Sequence, residues 1–226
     1  MFFSWFRKKT TCPNCNHPWD YRRCIRCGFI KRLSKKELLT QIMDFFDPKT
    51  YNPQDLYYKK QLIPERPGVY AWYFDNHFGT YFVHNNQSVI RIDLDSVPGK
   101  EWFLLYIGIA GKKKGRTLRD RIYGDHLNQN STGSTLRHSL ASLLWQEINL
   151  NPVMQLNGDN EKQKLNRWIF QHARVAWIEN DNPEKIEKVM LKEFGNYLLF
   201  NIQDNKNNPY SKELQRLRKS WKKSGK

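Results

Sequence analysis

The chain has 226 residues, 39% of them hydrophobic and 14% aromatic, enough to build one sizeable domain and a small accessory module. Its 38 lysines and arginines outnumber 22 acidic residues, for a formal net charge of +16. A surface so basic repels itself unless a polyanion answers it, so nucleic acid is the expected partner. No stretch approaches the roughly 18 apolar residues that a membrane-spanning helix needs, so no membrane partner is expected.

The apolar residues Phe2, Phe3, Trp5 and Phe6 have no charged region ahead of them and no small-residue cleavage site behind. A cytoplasmic protein is therefore expected. Cys12, Cys15, Cys24 and Cys27 are the four cysteines, arranged as two C-x₂-C pairs separated by eight residues. Each pair turns tightly enough to present two thiolates to one ion, and two such knuckles complete a tetrahedral Zn²⁺ site. Disulfides are the weaker reading, because a reducing compartment disfavours them. His17 lies between the knuckles, but four thiolates already fill the shell. Residues 1–32 are thus expected to form a four-cysteine zinc ribbon.

Residues 33–65 read as a helix and linker. Ser34-Lys35-Lys36-Glu37 is a capping-box signature. Leu38, Leu39, Ile42, Met43, Phe45 and Phe46 then recur at helical spacing, and Asp47-Pro48 stops the run. Pro48, Pro53 and Pro64 suggest an extended connector. From Pro67 to Phe74, and again from Trp102 to Gly108, aromatic and β-branched runs bounded by Gly, Pro and charge predict buried strands. Between them, Thr80–Val83 and Ser88–Leu94 alternate as an extra hairpin would. After a glycine- and lysine-rich loop, helices are expected over 117–123 and 134–145. Residues 150–165 read as a loop that enters a further helix. A strand is expected over 174–178, and a helix opens at Asn182-Pro183-Glu184 and runs to Phe194. The tail, 206–226, reads as a basic helix or arm.

Gly68-Val69-Tyr70 and Tyr106-Ile107-Gly108, in this order, with an arginine-bearing helix and a late carboxylate behind them, resemble the signature of the GIY-YIG endonuclease family. The resemblance covers about 67–201 and implies an α+β fold, a small central antiparallel sheet flanked by helices, over a domain placed at 66–205. It also implies a metal-dependent endonuclease acting on DNA. An RNA-directed nuclease, or a nucleic-acid-binding protein with a degenerate site, is the alternative.

Phosphodiester hydrolysis needs a base for the attacking water, charge neutralisation on the phosphate and a stabilised leaving oxygen. The resemblance makes Tyr70 and Tyr106 the signature tyrosines, one of them the proton acceptor, with the choice between them open. It aligns Arg121, within Leu118-Arg119-Asp120-Arg121-Ile122, with a phosphate-gripping arginine, since a guanidinium can hold two phosphate oxygens at once. His126 matches a position where members carry histidine. Glu184, Glu187 and Glu193 compete as ligand to Mg²⁺ or Mn²⁺. Glu187 is favoured because Met190 and Leu191 follow at the third and fourth positions and turn it inward, and Glu193 comes second. Asn201 suits the bracing asparagine of the family. Lys112, Lys113, Lys114, Arg116, Arg119 and Arg137 are the expected DNA contacts.

The cysteine spacing generates a direct expectation: freshly purified, reduced protein carries one zinc per chain, and chelation unfolds only the N-terminal module. Elemental analysis that finds no zinc would overturn it.

Overall fold

The structure is a computed structural model that describes residues 10–11, 18–19, 40–84, 87–94, 99–111, 115–128, 134–152 and 158–224. The chain divides into two compact units, residues 1–40 and 41–226. In the first, β1 (Thr10–Thr11) pairs antiparallel with β2 (Pro18–Trp19). The cysteines of the expected ribbon, and Lys112 to Lys114, lie outside the described residues.

The second unit is built on a four-stranded antiparallel sheet in the order β4-β5-β3-β6. β3 (Gly68–Asp75) and β5 (Trp102–Ala110) are buried along their whole length, the reason both read as unbroken apolar runs. β6 (Ala173–Glu179) pairs on the other side of β3, and short β4 (Ile90–Ile92) pairs only with Trp102 to Leu104 of β5. In the β3/β5 register Tyr70 lies opposite Gly108 and Trp72 opposite Tyr106, while Tyr73 faces Leu104. Leu105 is the extra residue of a β-bulge. Directly opposed residues share a face, so Tyr70, Trp72, Tyr106 and Gly108 project to one side.

That side carries the larger core, where Phe74, Phe78, Phe82, Trp168, Phe200 and the leucines of the helices meet. The alternate residues of β3 face the other side, where the Tyr73 hydroxyl donates to the Phe45 carbonyl at 3.0 Å. Residues 40–43 are helical; Ile42, and Phe45 in the turn that follows, are buried, whereas Met43 is 59% exposed and so does not join the expected packing stripe, of which Leu38 and Leu39 lie outside the described residues. The connector is not extended. Asn52 caps α1 (Pro53–Tyr58), with proline at the first turn, and a 3₁₀ turn over Lys60–Leu62 follows.

The interval between the signature strands also departs from expectation. Asn76–His84 is helical (α2), and β4 is the one strand there among the described residues. Phe78 and Phe82, four apart, bury together against Phe200. This helical pairing outweighs the local alternation that suggested a hairpin. After Gly108, α3 (Asp120–Leu127) is a π-helix whose last turn closes from the Asn128 N–H to the Tyr123 carbonyl five residues back. Then come α4 (Thr135–Leu144), α5 (Asp159–His172), α6 (Pro183–Phe194) and α7 (Ser211–Lys223). α6 packs against β3 and β5, and α7, with Leu214 and Trp221 buried, packs on α4.

Gly108 has a plain steric reason: a Cβ there would overlap the Tyr70 ring directly across the sheet. Gly108→Ala should therefore cost about 1–3 kcal/mol, read as a fall in Tm. Gly124→Ala, whose Cβ meets nothing within 4 Å, should leave Tm unchanged or raise it, because alanine is the better helix former.

Candidate active site

Beyond Leu104, β5 loses its neighbour β4, and its outer edge is completed by a turn rather than a strand. Phe200 N–H donates to the carbonyl of bulge residue Leu105 at 3.0 Å. The Asn201 amide then accepts from Ile107 N–H at 2.9 Å and donates to Ile107 C=O at 2.8 Å, reproducing the pairing of a missing strand. Asn201 is itself fixed by Asn208, whose side chain donates to the Asn201 and Leu199 carbonyls at 2.7 and 2.9 Å.

A cavity of about 430 Å³ opens at this edge, lined by Tyr106, Gly108, Arg116, Arg121, Glu187 and Asn201 together with Thr135, Gln203 and Asp204. Tyr106 comes from β5, Arg121 from α3 and Glu187 from α6, so the cavity collects groups from elements on both sides of the sheet. Glu187 is half-buried, whereas Glu184 and Glu193 are exposed, the Glu193 side chain by 52%. Tyr70 lies behind Tyr106, their ring centroids 6.3 Å apart.

His126 stands behind both tyrosines, only 1% exposed. Its Nε2 is hydrogen-bonded to Tyr70 Oη at 2.8 Å and its Nδ1 to Ser134 Oγ at 2.7 Å. Arg121 and His126 are five residues apart. That spacing separates two side chains around an α-helix but brings them close together in the wider π turn. Asp125 pairs with both Arg121 and Arg116, the latter at 2.5 Å, and so holds two guanidinium groups together.

Burial sets the protonation of the site. It pushes Tyr70 well above the usual phenol range, and the neighbouring Tyr106 adds to the effect. Tyr106 is also raised by burial, but Arg121 and a hydrogen bond from Tyr70 oppose the shift. Burial alone would weaken the Arg121 charge, yet Tyr70, Tyr106 and Asp125 more than compensate, and its pKa is raised. His126 is driven far below the normal imidazole range by burial and then by Arg121, Arg137 and Arg116, and stays neutral.

One expected DNA contact, Arg137, needs correction. Arg137 is 2% exposed: its guanidinium donates to the carbonyl of His126 at 2.8 Å and to Asn166 Oδ1 at 2.5 Å, while Asn166 Nδ2 donates to the Leu127 carbonyl at 2.9 Å. Its leucine-rich helix sits against the core, so the arginine points inward and satisfies the His126 carbonyl near the end of α3. Burial lowers its pKa to about 10. Arg119 stays partly exposed, donating to the Ile63 carbonyl at 3.0 Å and pairing with the exposed Glu65, which ties it to the connector. Asp125, Ser134, Thr135 and Asn166 were missed by the sequence reading. Ser134 was legible as a helix start, but nothing local marks Asn166.

The GIY-YIG catalytic domain family matches residues 68–220, and the chain belongs to that family. No curated protein and no solved structure matches it. Membership implies a nuclease, a hydrolase with nucleic acid as its substrate class. Among the described residues no helix is long and apolar enough to cross a membrane.

If Arg137 is an internal brace, Arg137→Met should lower stability by about 1–3 kcal/mol through stranded carbonyls. The slope of DNA affinity against salt should stay unchanged. A flattened slope with unaltered Tm would instead return Arg137 to the phosphate-contacting surface.

Proposed function

We propose that the chain is a metal-dependent DNA endonuclease, with the N-terminal four-cysteine module aiding DNA binding. The observation that carries this reading is the convergence of Tyr106, Arg121 and Glu187 on one cavity, closed at its base by Asn201. Arg121, charged and held by Asp125, is the group to grip the scissile phosphate, with Arg116 beside it. Tyr106 is the better candidate to take the proton from water, because it lines the cavity, whereas Tyr70 lies deeper and is held more firmly protonated even though Arg121 opposes the upward shift on both.

The donor set of the cavity is oxygen, with Glu187 its half-buried carboxylate. No group of three or more His, Cys, Asp or Glu that could hold a metal ion occurs among the described residues. That chemistry fits a hard ion such as Mg²⁺ or Mn²⁺, which keeps several waters and takes one or two carboxylates. Glu187 would hold the ion. What the ion supplies when bound is neutralisation of phosphate charge and stabilisation of the leaving oxygen. On α7, Lys212, Arg216, Lys219 and Lys223 are exposed and recur at helical spacing, a stripe suited to backbone phosphates. Lys185, Lys188 and Lys192 are exposed on α6, the helix that carries Glu187.

The test is incubation with supercoiled plasmid and Mg²⁺, with structured RNA in parallel. Nicking of plasmid alone is expected. Glu187→Gln should abolish cutting while DNA binding persists, Arg121→Ala should lose cutting and some affinity, and Glu193→Gln should remain active. Cleavage of RNA alone would redirect the substrate assignment, and wild-type cutting by both Glu187→Gln and Arg121→Ala would remove the site.

A further inference from the structure

Behind the cavity runs a line of hydrogen bonds whose direction can be worked out from its buried end. It starts at α4, where the Arg137 N–H donates to Ser134 Oγ at 3.2 Å in an ordinary N-cap. Ser134 is 1% exposed, and its one other side-chain partner among the described residues is His126 Nδ1 at 2.7 Å. A backbone N–H can only donate, so that bond uses an oxygen lone pair and leaves the hydroxyl proton to be placed. A buried hydroxyl proton needs an acceptor, and among the described residues Nδ1 is the one hydrogen-bonded to it, at 2.7 Å.

We propose that Ser134 is a positioning residue that fixes His126 as its Nε2–H tautomer, so that every bond in the line points from the α4 N-terminus toward Tyr106. With Nδ1 accepting from Ser134, the single proton of the neutral ring sits on Nε2. It then donates to Tyr70 Oη across the 2.8 Å contact. The Tyr70 oxygen is occupied as an acceptor there, and its own proton is left to turn toward the neighbouring Tyr106, whose ring centroid lies 6.3 Å from that of Tyr70. The order is Arg137 N–H, Ser134 O–H, His126 Nε2–H, Tyr70 O–H, with Tyr106 oxygen as terminal acceptor.

The opposite polarity would place a proton on Nδ1. Ser134 Oγ would then accept twice, with no acceptor for its own proton among the described residues, and Tyr70 would donate to His126 rather than toward Tyr106. Neutrality of the ring follows from its burial and from the three arginines, Arg116, Arg121 and Arg137, that surround it. Donors aligned in one sense reinforce one another in a low-dielectric interior. The line therefore ends on the oxygen of Tyr106, the tyrosine that lines the cavity. Arg137 supports it twice, capping Ser134 through its backbone and gripping the His126 carbonyl through its side chain.

The consequence for turnover rests on the nuclease reading, but the tautomer does not, so the two are measured separately. Nitrogen NMR on the full chain labelled in histidine, with His126 assigned by loss of its signals in His126→Gln, should report Nε2–H. Ser134→Asp can still cap α4 but, ionised, has no proton to give, and should switch the ring to Nδ1–H. Its kcat on plasmid should fall on the order of tenfold to a hundredfold with KM unchanged. Ser134→Thr, which can both cap and donate, should keep the wild-type tautomer and rate. An Nδ1–H ring in the wild type overturns the proposal, and so does a Ser134→Asp enzyme that cuts at the wild-type rate with its ring switched. If the wild type cuts no nucleic acid, the nuclease reading falls, and the tautomer still decides the relay.

Discussion

The two hydrogen bonds between the Asn201 side chain and the Ile107 backbone hold the site together. An inner strand that loses its neighbour halfway along presents bare N–H and C=O groups, which either recruit another strand or must be covered. β5 meets that problem just past Leu104, where β4 stops. A primary amide carries one acceptor and one donor side by side and satisfies both groups of one residue. Aspartate would supply the acceptor alone, and an apolar residue neither. Because Asn201 and Phe200 close the edge with a turn instead of a strand, the space a fifth strand would fill remains open, and that space is the cavity. The same turn follows α6, so the anchoring of Asn201 also limits where Glu187 can stand relative to Tyr106.

Charge in the site is arranged around that opening with little to neutralise it. Arg116 and Arg121 share the carboxylate of Asp125, and Arg137 is buried against carbonyl oxygens. Burying a cation without a carboxylate is expensive, and three acceptors, two of them carbonyls of the main chain, offset only part of the cost. The outcome is an imidazole that stays neutral and two phenols that experience burial differently. Tyr70 sits deeper and is pushed further up than Tyr106, although Arg121 works against the push on both. Two tyrosines of identical chemistry are thereby set apart by position alone, which is how paired groups come to take different roles.

The sequence was legible where one element determines the outcome. β3 and β5 are buried on both faces and announced themselves as apolar runs, α6 began at its Asn-Pro signal, and Ser134 capped α4 where the helix was expected. Glu187 was separable from Glu193 because Met190 and Leu191 defined the inner stripe of α6. Reading failed where distant residues decide. Arg137 looked like any surface arginine of a basic protein, and only the packing of α4 against α3 and α5 turns it inward. The Phe78 and Phe82 pair made a helix of a stretch whose alternation suggested strands. No local signal distinguishes a π-helix from an α-helix, so the closeness of Arg121 and His126 could not be foreseen from their spacing.

The long interval between the signature tyrosines leaves the site undisturbed for a geometric reason. α2 and β4 are attached where Asp75 pairs with Trp102, five residues along β3 from Tyr70, or about 17 Å at the rise of an antiparallel strand. Between that end and the site lies the bulge at Leu105. A bulge shifts one strand by a residue against the other, so the face on which Tyr106 projects is reset on the site's side of it. The register there is held by Tyr70 against Gly108, which tolerates no side chain, and by Asn201 on Ile107. Since both constraints act beyond the bulge, the far end of the hairpin is free to carry a helix and an extra strand, and the two tyrosines still meet on the same face.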